Sequence, residues 1–190
     1  MSQSRSRGKV QPPRSEQAGP RPQASGEGRV VVARDPSRTP LLGLVLGYGA
    51  IVPLVAGAIV AWFATGLIEA LAVNLSVLWG GAILVFLAGV RRGVSFRTPG
   101  GPTRSQILAM LWLFVVGFAA ILSITVPVLP VAVGPHVLAF SLLLAGFLSL
   151  IVLDPAAAQT GEAPSFLARL RPVQMSIAAA AVAALLLRMT

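Results

Sequence analysis

Catalysis and metal binding draw on a small set of side chains, and this chain carries few of them in a useful spacing. It has no cysteine, which removes disulfides, thiolate nucleophiles and thiolate metal sites together. His136 is the single histidine; it follows Pro135, with no second histidine to complete a zinc site. The six acids are Glu16, Glu27, Asp35, Glu69, Asp154 and Glu162, and no two are spaced as a working carboxylate pair. There is no glycine loop ending in Lys-Ser/Thr to cradle a phosphate, and no serine set for a histidine to activate. The sequence therefore nominates no catalytic, cofactor-binding or metal-ligating residue. It reads as a protein that is not an enzyme.

The remaining polar groups sit inside long apolar runs: Asn74, Ser76, Ser123, Thr125, Ser141, Ser149, Gln174 and Ser176, with Trp79 in mid-run. Most lie near a run's end or can bond back to their own helix. Asn74-Leu75-Ser76 matches a glycosylation sequon but falls within a run, where it should be inert. The Trp79 indole needs an acceptor, and Ser123 or Thr125 could supply one. Glycines recur at four-residue spacing, Gly43 with Gly47 and Gly89 with Gly93. That spacing lets helix backbones approach closely in lipid. It predicts packing within one chain first, and a homo-oligomer or other helix partner second. Pro53 interrupts the first run and should kink its helix.

The elements that hold these residues follow from composition. The chain of 190 residues is 55% hydrophobic and only 11% charged, with a mean hydropathy of +0.82. Soluble domains carry roughly 25% charged residues. Eleven of the 21 charges lie in residues 1–40, leaving 41–190 too apolar to make a water-facing surface. A helix needs about 20 apolar residues to cross a hydrocarbon core of roughly 30 Å. The runs predict spans at 41–63, 71–90, 107–126, 137–153 and 173–187, the fifth being short and alanine-rich. The expected fold is an all-α integral membrane bundle of five transmembrane helices. Residues 1–40 form a separate Arg-, Pro- and Ser-rich tail, too polar to bury a core and expected to be disordered.

Charge asymmetry sets the expected orientation. Taking alternate connections as sharing a side, fourteen of the fifteen basic residues fall on the tail's side and only Arg188 on the other. The N-terminus should be inside and the C-terminus outside. Trp62 and Tyr48 would then sit near the two interfaces of the first span, as aromatic belts do. Glu69 and Asp154 flank the runs, where they could stay hydrated; proton-coupled transport, which needs a titrating group within the membrane, is not expected. Ser165–Arg171 reads equally as a short amphipathic segment on the inner leaflet or as a solvated loop. The tail's basic residues are dispersed and lack interleaved aromatics, so no nucleic acid is expected as partner; the bilayer is the expected surrounding. One lysine among fifteen basic residues suggests a GC-rich genome, hence a bacterial inner (cell) membrane. The alternative is the mitochondrial inner membrane, since an Arg- and Ser-rich presequence is compatible with the tail's composition.

Four segments carry a resemblance: GYGAIVPL (Gly47–Leu54), GAILVFLAGVRRG (Gly81–Gly93), AGFLSLIVLD (Ala145–Asp154) and PSFLARLRP (Pro164–Pro172). Over residues 40–188 the chain resembles the transmembrane protein 69-like family of small membrane proteins of unknown function. Where that family usually has a His-Trp pair, this chain has Arg91-Arg92. The resemblance implies a five-helix bundle and names no substrate. Two functions remain open: a non-enzymatic structural, assembly or membrane-organising protein, or a small permease or channel for an uncharged or hydrophobic solute. A cavity lined by Ser123, Thr125 and Trp79 would favour the permease, and continuous apolar packing the structural role.

Overall fold

Where no water can reach the backbone, a helix satisfies its own N–H and C=O groups, and the apolar runs fold accordingly. The computed structural model describes residues 41–96, 101–126, 134–159 and 165–190, of which 41–43, 158–159 and 165–169 as backbone only. The tail, with its expected disorder, lies outside these residues. Six helices follow in order: α1 (Leu41–Gly49), α2 (Val52–Phe63), α3 (Leu67–Ser95), α4 (Arg104–Thr125), α5 (Pro135–Gln159) and α6 (Ser165–Met189). Among the described residues there is no strand. Five segments are long and apolar enough to cross a membrane: Leu44–Phe63, Leu67–Ser95, Arg104–Thr125, Pro135–Ala157 and Leu170–Met189.

Each expected span has its counterpart, and α3 to α6 reach beyond the apolar runs into charged residues. The ends have identifiable causes. Thr103 and Gln106 form a reciprocal capping box that starts α4, and Pro135 opens α5, where a missing N–H costs nothing. Gly66 has a φ of +67°, a conformation open to glycine, and allows the tight turn from α2 into α3. Ser165–Arg171 is neither a separate interfacial element nor a loop. It is the first part of α6, which runs on through Pro172.

The first span is broken rather than bent. α1 ends at Gly49, and the chain turns at Ala50 and Ile51 before α2 begins. Pro53 lies in the first turn of α2, where its ring is tolerated. Around the break the Ile51 N–H donates to Tyr48 and the Leu54 N–H to Ile51, a tighter three-residue pattern.

The helices close into a ring, with α2 on α3, α3 on α4, α4 on α5, α5 on α6 and α6 back on α2; α3 also meets α5 across the middle. Leu54, Val77, Leu84, Leu113, Phe140, Leu143, Phe147, Val182 and Leu185 fill the interior and are fully buried. On α5 the inward residues Phe140, Leu143, Phe147 and Leu150 repeat at three- and four-residue steps, the spacing of a single helical face.

Close approach depends on glycines other than those singled out by spacing. A methyl group placed on Gly81 would lie 2.8 Å from the Gly117 carbonyl oxygen, and one on Gly117 would lie 2.9 Å from that of Gly81. The α3 and α4 backbones touch there. Gly47 does pack within the chain, against the Gln174 amide of α6. Gly89 and Gly93 do not: nothing lies within 4 Å of where their side chains would be, so the expected intrachain packing fails for that pair. Surroundings of Gly43 fall outside the described side chains. Gly81→Ala should therefore lower stability by about 1–3 kcal/mol, because a backbone must move. Gly89→Ala should leave it unchanged or slightly raised, alanine being the better helix former. Unfolding midpoints in mild detergent separate the two, and equal effects would contradict the α3–α4 contact.

Candidate functional site

Asp154 lies one step beyond the inward stripe of α5, four residues after Leu150. It is therefore carried into the bundle rather than out to solvent, and is 7% exposed. One carboxylate oxygen accepts from Arg91 Nη2 and the other from Arg171 Nη1, the latter at 3.1 Å. Arg91 extends the buried face of α3 from Leu84 and Leu87, and Arg171 precedes Met175 and Ala178 on that of α6. Three helices thus converge on one carboxylate. The expectation of a hydrated Asp154 flanking its span is corrected: α5 continues past it to Gln159, and packing buries it.

A second ion pair joins Glu69 of α3 to Arg188 of α6 at 2.8 Å, and is more open than the first. Glu69 and Arg91 are 22 residues apart on α3, or about 33 Å at a rise of 1.5 Å per residue. That matches a hydrocarbon core of roughly 30 Å. The two charged clusters mark opposite ends of the apolar zone. Near the Glu69 end, His136 Nε2 lies 3.2 Å from Asn74 Oδ1, and Asn74 Nδ2 donates to the Ala70 carbonyl at 2.8 Å.

Tryptophans make the other cross-helix bonds. Trp79 Nε1 donates to the Ala50 carbonyl at 2.7 Å. Ser123 and Thr125 are not its partners; they donate to Ala120 and Ile121 on their own helix. The acceptor sits in the broken first span, where Leu54 has turned from Ala50 to Ile51 and released that carbonyl. Trp62 likewise donates to the Ala184 carbonyl of α6 at 3.1 Å, so it is held by a neighbour as well as by its place near the span's end. Trp112 donates to Ser149 Oγ at 3.1 Å. Gln174 makes no such bond through its amide nitrogen: the residue is 4% exposed, and that nitrogen has no partner.

Outside the break, Tyr48, Val52, Val55 and Ile59 line a shallow apolar groove of about 360 Å³, open to the surroundings. It offers no converging polar groups and hence no chemistry. Among the described residues no three of His, Asp and Glu gather as metal ligands would. No family model matches the chain, and comparisons with curated proteins and with solved structures find no match.

Spacing-based reading missed the carboxylate cluster because it stopped each span at the last apolar residue. The signal was present, since Asp154, Arg91 and Arg171 each continue an inward-facing helical stripe. Trp79→Phe keeps the ring's bulk and removes only the donor to Ala50. It should cost about 0.6–2 kcal/mol and speed amide exchange across Ala50–Leu54. Unchanged exchange there would show that the broken helix does not rely on the indole.

Proposed function

We propose that the protein is a non-enzymatic structural or membrane-organising helical bundle of a cell membrane, bacterial by composition, with the mitochondrial inner membrane as the alternative. One observation carries the reading: the space between helices is filled by apolar side chains, and the polar groups expected to line a solute path, Gln174 apart, are occupied elsewhere. Ser76, Ser123, Thr125 and Ser176 each bond a carbonyl of their own helix, and Trp79 bonds Ala50. The described carboxylates Glu69 and Asp154 are both held by arginine.

An inward N-terminus and outward C-terminus belong to this reading, supported by the charge asymmetry. The one basic residue on the outer side, Arg188, is paired with Glu69, which lessens its pull toward the inside. Membership of the transmembrane protein 69-like family belongs to it too. Three of the segments that carry the resemblance supply the three members of one cluster: Arg91, Asp154 and Arg171. Arg91 occupies the place where that family usually has the histidine of its His-Trp pair. Helix association with a second copy or another membrane protein would use the α3 face bearing Gly89 and Gly93, both open to an approaching backbone.

Liposomes carrying the protein should show neither proton flux under an imposed gradient nor swelling in an uncharged solute above that of empty liposomes. Flux abolished by Glu69→Gln or Asp154→Asn would overturn the structural reading and favour the permease. A reporter fused after Thr190 should give active phosphatase and dark GFP. Bright GFP would contradict the orientation and leave four crossings.

A further inference from the structure

Among the described residues the Arg91–Asp154–Arg171 cluster is short of negative charge. Two guanidiniums, which stay protonated in proteins, face one carboxylate, leaving a net charge of +1 among side chains that are 17%, 14% and 10% exposed for Arg91, Arg171 and Asp154. A buried charge without its counterion is costly. The pair at the other end, Glu69 with Arg188, is balanced one to one although more open. Tying the helices together needs no more than such a pair, so the second arginine asks for another explanation.

Hydrogen bonding shows the same deficit. Each guanidinium offers five N–H donors in a planar fork. Asp154 takes one bond from Arg91 Nη2 and one from Arg171 Nη1, and both of its oxygens are then engaged. Arg91 Nε is buried with no partner. Among the described residues nothing supplies the cluster with a further anion bearing several oxygens. Phosphate meets that description, since its oxygens match the guanidinium fork two at a time.

Position narrows the source. Arg91 lies about 33 Å along α3 from Glu69, which puts the cluster at headgroup depth at one end of the apolar zone. The same end of α3 carries Arg92, whose guanidinium lies over the Phe96 ring at 4.4 Å from its centroid. Basic pockets between helices at that depth suit anionic headgroups.

We propose that Arg91, Arg171 and Asp154 form a binding site for an anionic phosphate group, with Asp154 holding the two guanidiniums apart as a fork. Lipid phosphodiester is the source that the depth favours, and free inorganic phosphate is the other. The site adds a ligand to the structural reading without depending on it, because a transporting bundle could carry the same site.

The test compares the purified full chain in dodecyl maltoside, a detergent without phosphate, with the same detergent containing phosphatidylglycerol, and with added inorganic phosphate. The readouts are the unfolding midpoint and lipid retention by native mass spectrometry. The unaltered protein should be stabilised and should retain phosphatidylglycerol. Arg171→Gln should weaken that retention about tenfold, the worth of a charge-assisted bond. Asp154→Asn leaves two guanidiniums without their counterion, so its midpoint should rise more on adding phosphatidylglycerol than that of the unaltered protein. That variant keeps the test sharp if Arg171→Gln fails to fold. Arg104→Gln removes a charge from the exposed start of α4 and should change neither readout. A shift from phosphatidylglycerol alone assigns the site to lipid, and an equal shift from inorganic phosphate assigns it to the free ion. Three results would overturn the proposal: no shift from either probe, an equal shift in Asp154→Asn and the unaltered protein, or a loss in Arg104→Gln as large as in Arg171→Gln.

Discussion

A backbone carbonyl inside a bilayer has no water to turn to, so any departure from regular helix must be repaired by another part of the chain. The first span is where this constraint bites. Pro53 brings no N–H, and the turn at Ala50–Ile51 shifts the bonding to shorter steps. The Ala50 carbonyl is then met by the Trp79 indole from α3. A local defect in one helix is thereby converted into a bond between two. The bond ties the break to α3, which matters most for α1, whose own packing on α2 and α6 is slight.

Close packing does the rest, because lipid supplies no hydrophobic drive between helices. The backbones of α3 and α4 meet at Gly81 and Gly117, and Leu84, one turn along, is fully buried with Leu113, Leu143 and Phe147. At either end of this apolar layer the inward stripes of α3, α5 and α6 continue as charged residues rather than stopping. Glu69 meets Arg188 at one end, and Asp154 meets Arg91 and Arg171 at the other. Helix α6 is held at both ends, although its alanine-rich middle offers little side-chain bulk for packing.

Much of the fold was legible because length and polarity alone decide a transmembrane span. Five apolar runs became five helical segments long enough to cross, including the short run 173–187, which α6 lengthens at its N-terminal side. Pro53 marked the broken span correctly, though as a kink. What eluded a linear reading was pairwise. Gly89 and Gly93 had the recognised spacing yet face outward, while Gly81 and Gly117 touch across 36 positions and have no shared motif. Hydroxyls on α4 are plausible acceptors for Trp79 by sequence, but they are satisfied by their own helix, and the free acceptor is created by a break 29 residues earlier. Asp154 stands at the polar end of its apolar run, where a linear reading expects a hydrated flanking group. Its four-residue step from Leu150 contained the answer, since a helical face does not end where hydrophobicity does.

The account stands on Asp154 tying neighbouring helices together, and a double-mutant cycle between Asp154 and Arg171 measures the α5–α6 part of that directly. Unfolding free energies in nanodiscs of neutral lipid are needed for Asp154→Asn, Arg171→Gln and the pair together. The account predicts strong coupling, with the double variant losing far less than the sum of the single losses, by about 1 kcal/mol or more. Additive losses would mean that the two side chains act independently, and would contradict the carboxylate as the junction of α5 and α6.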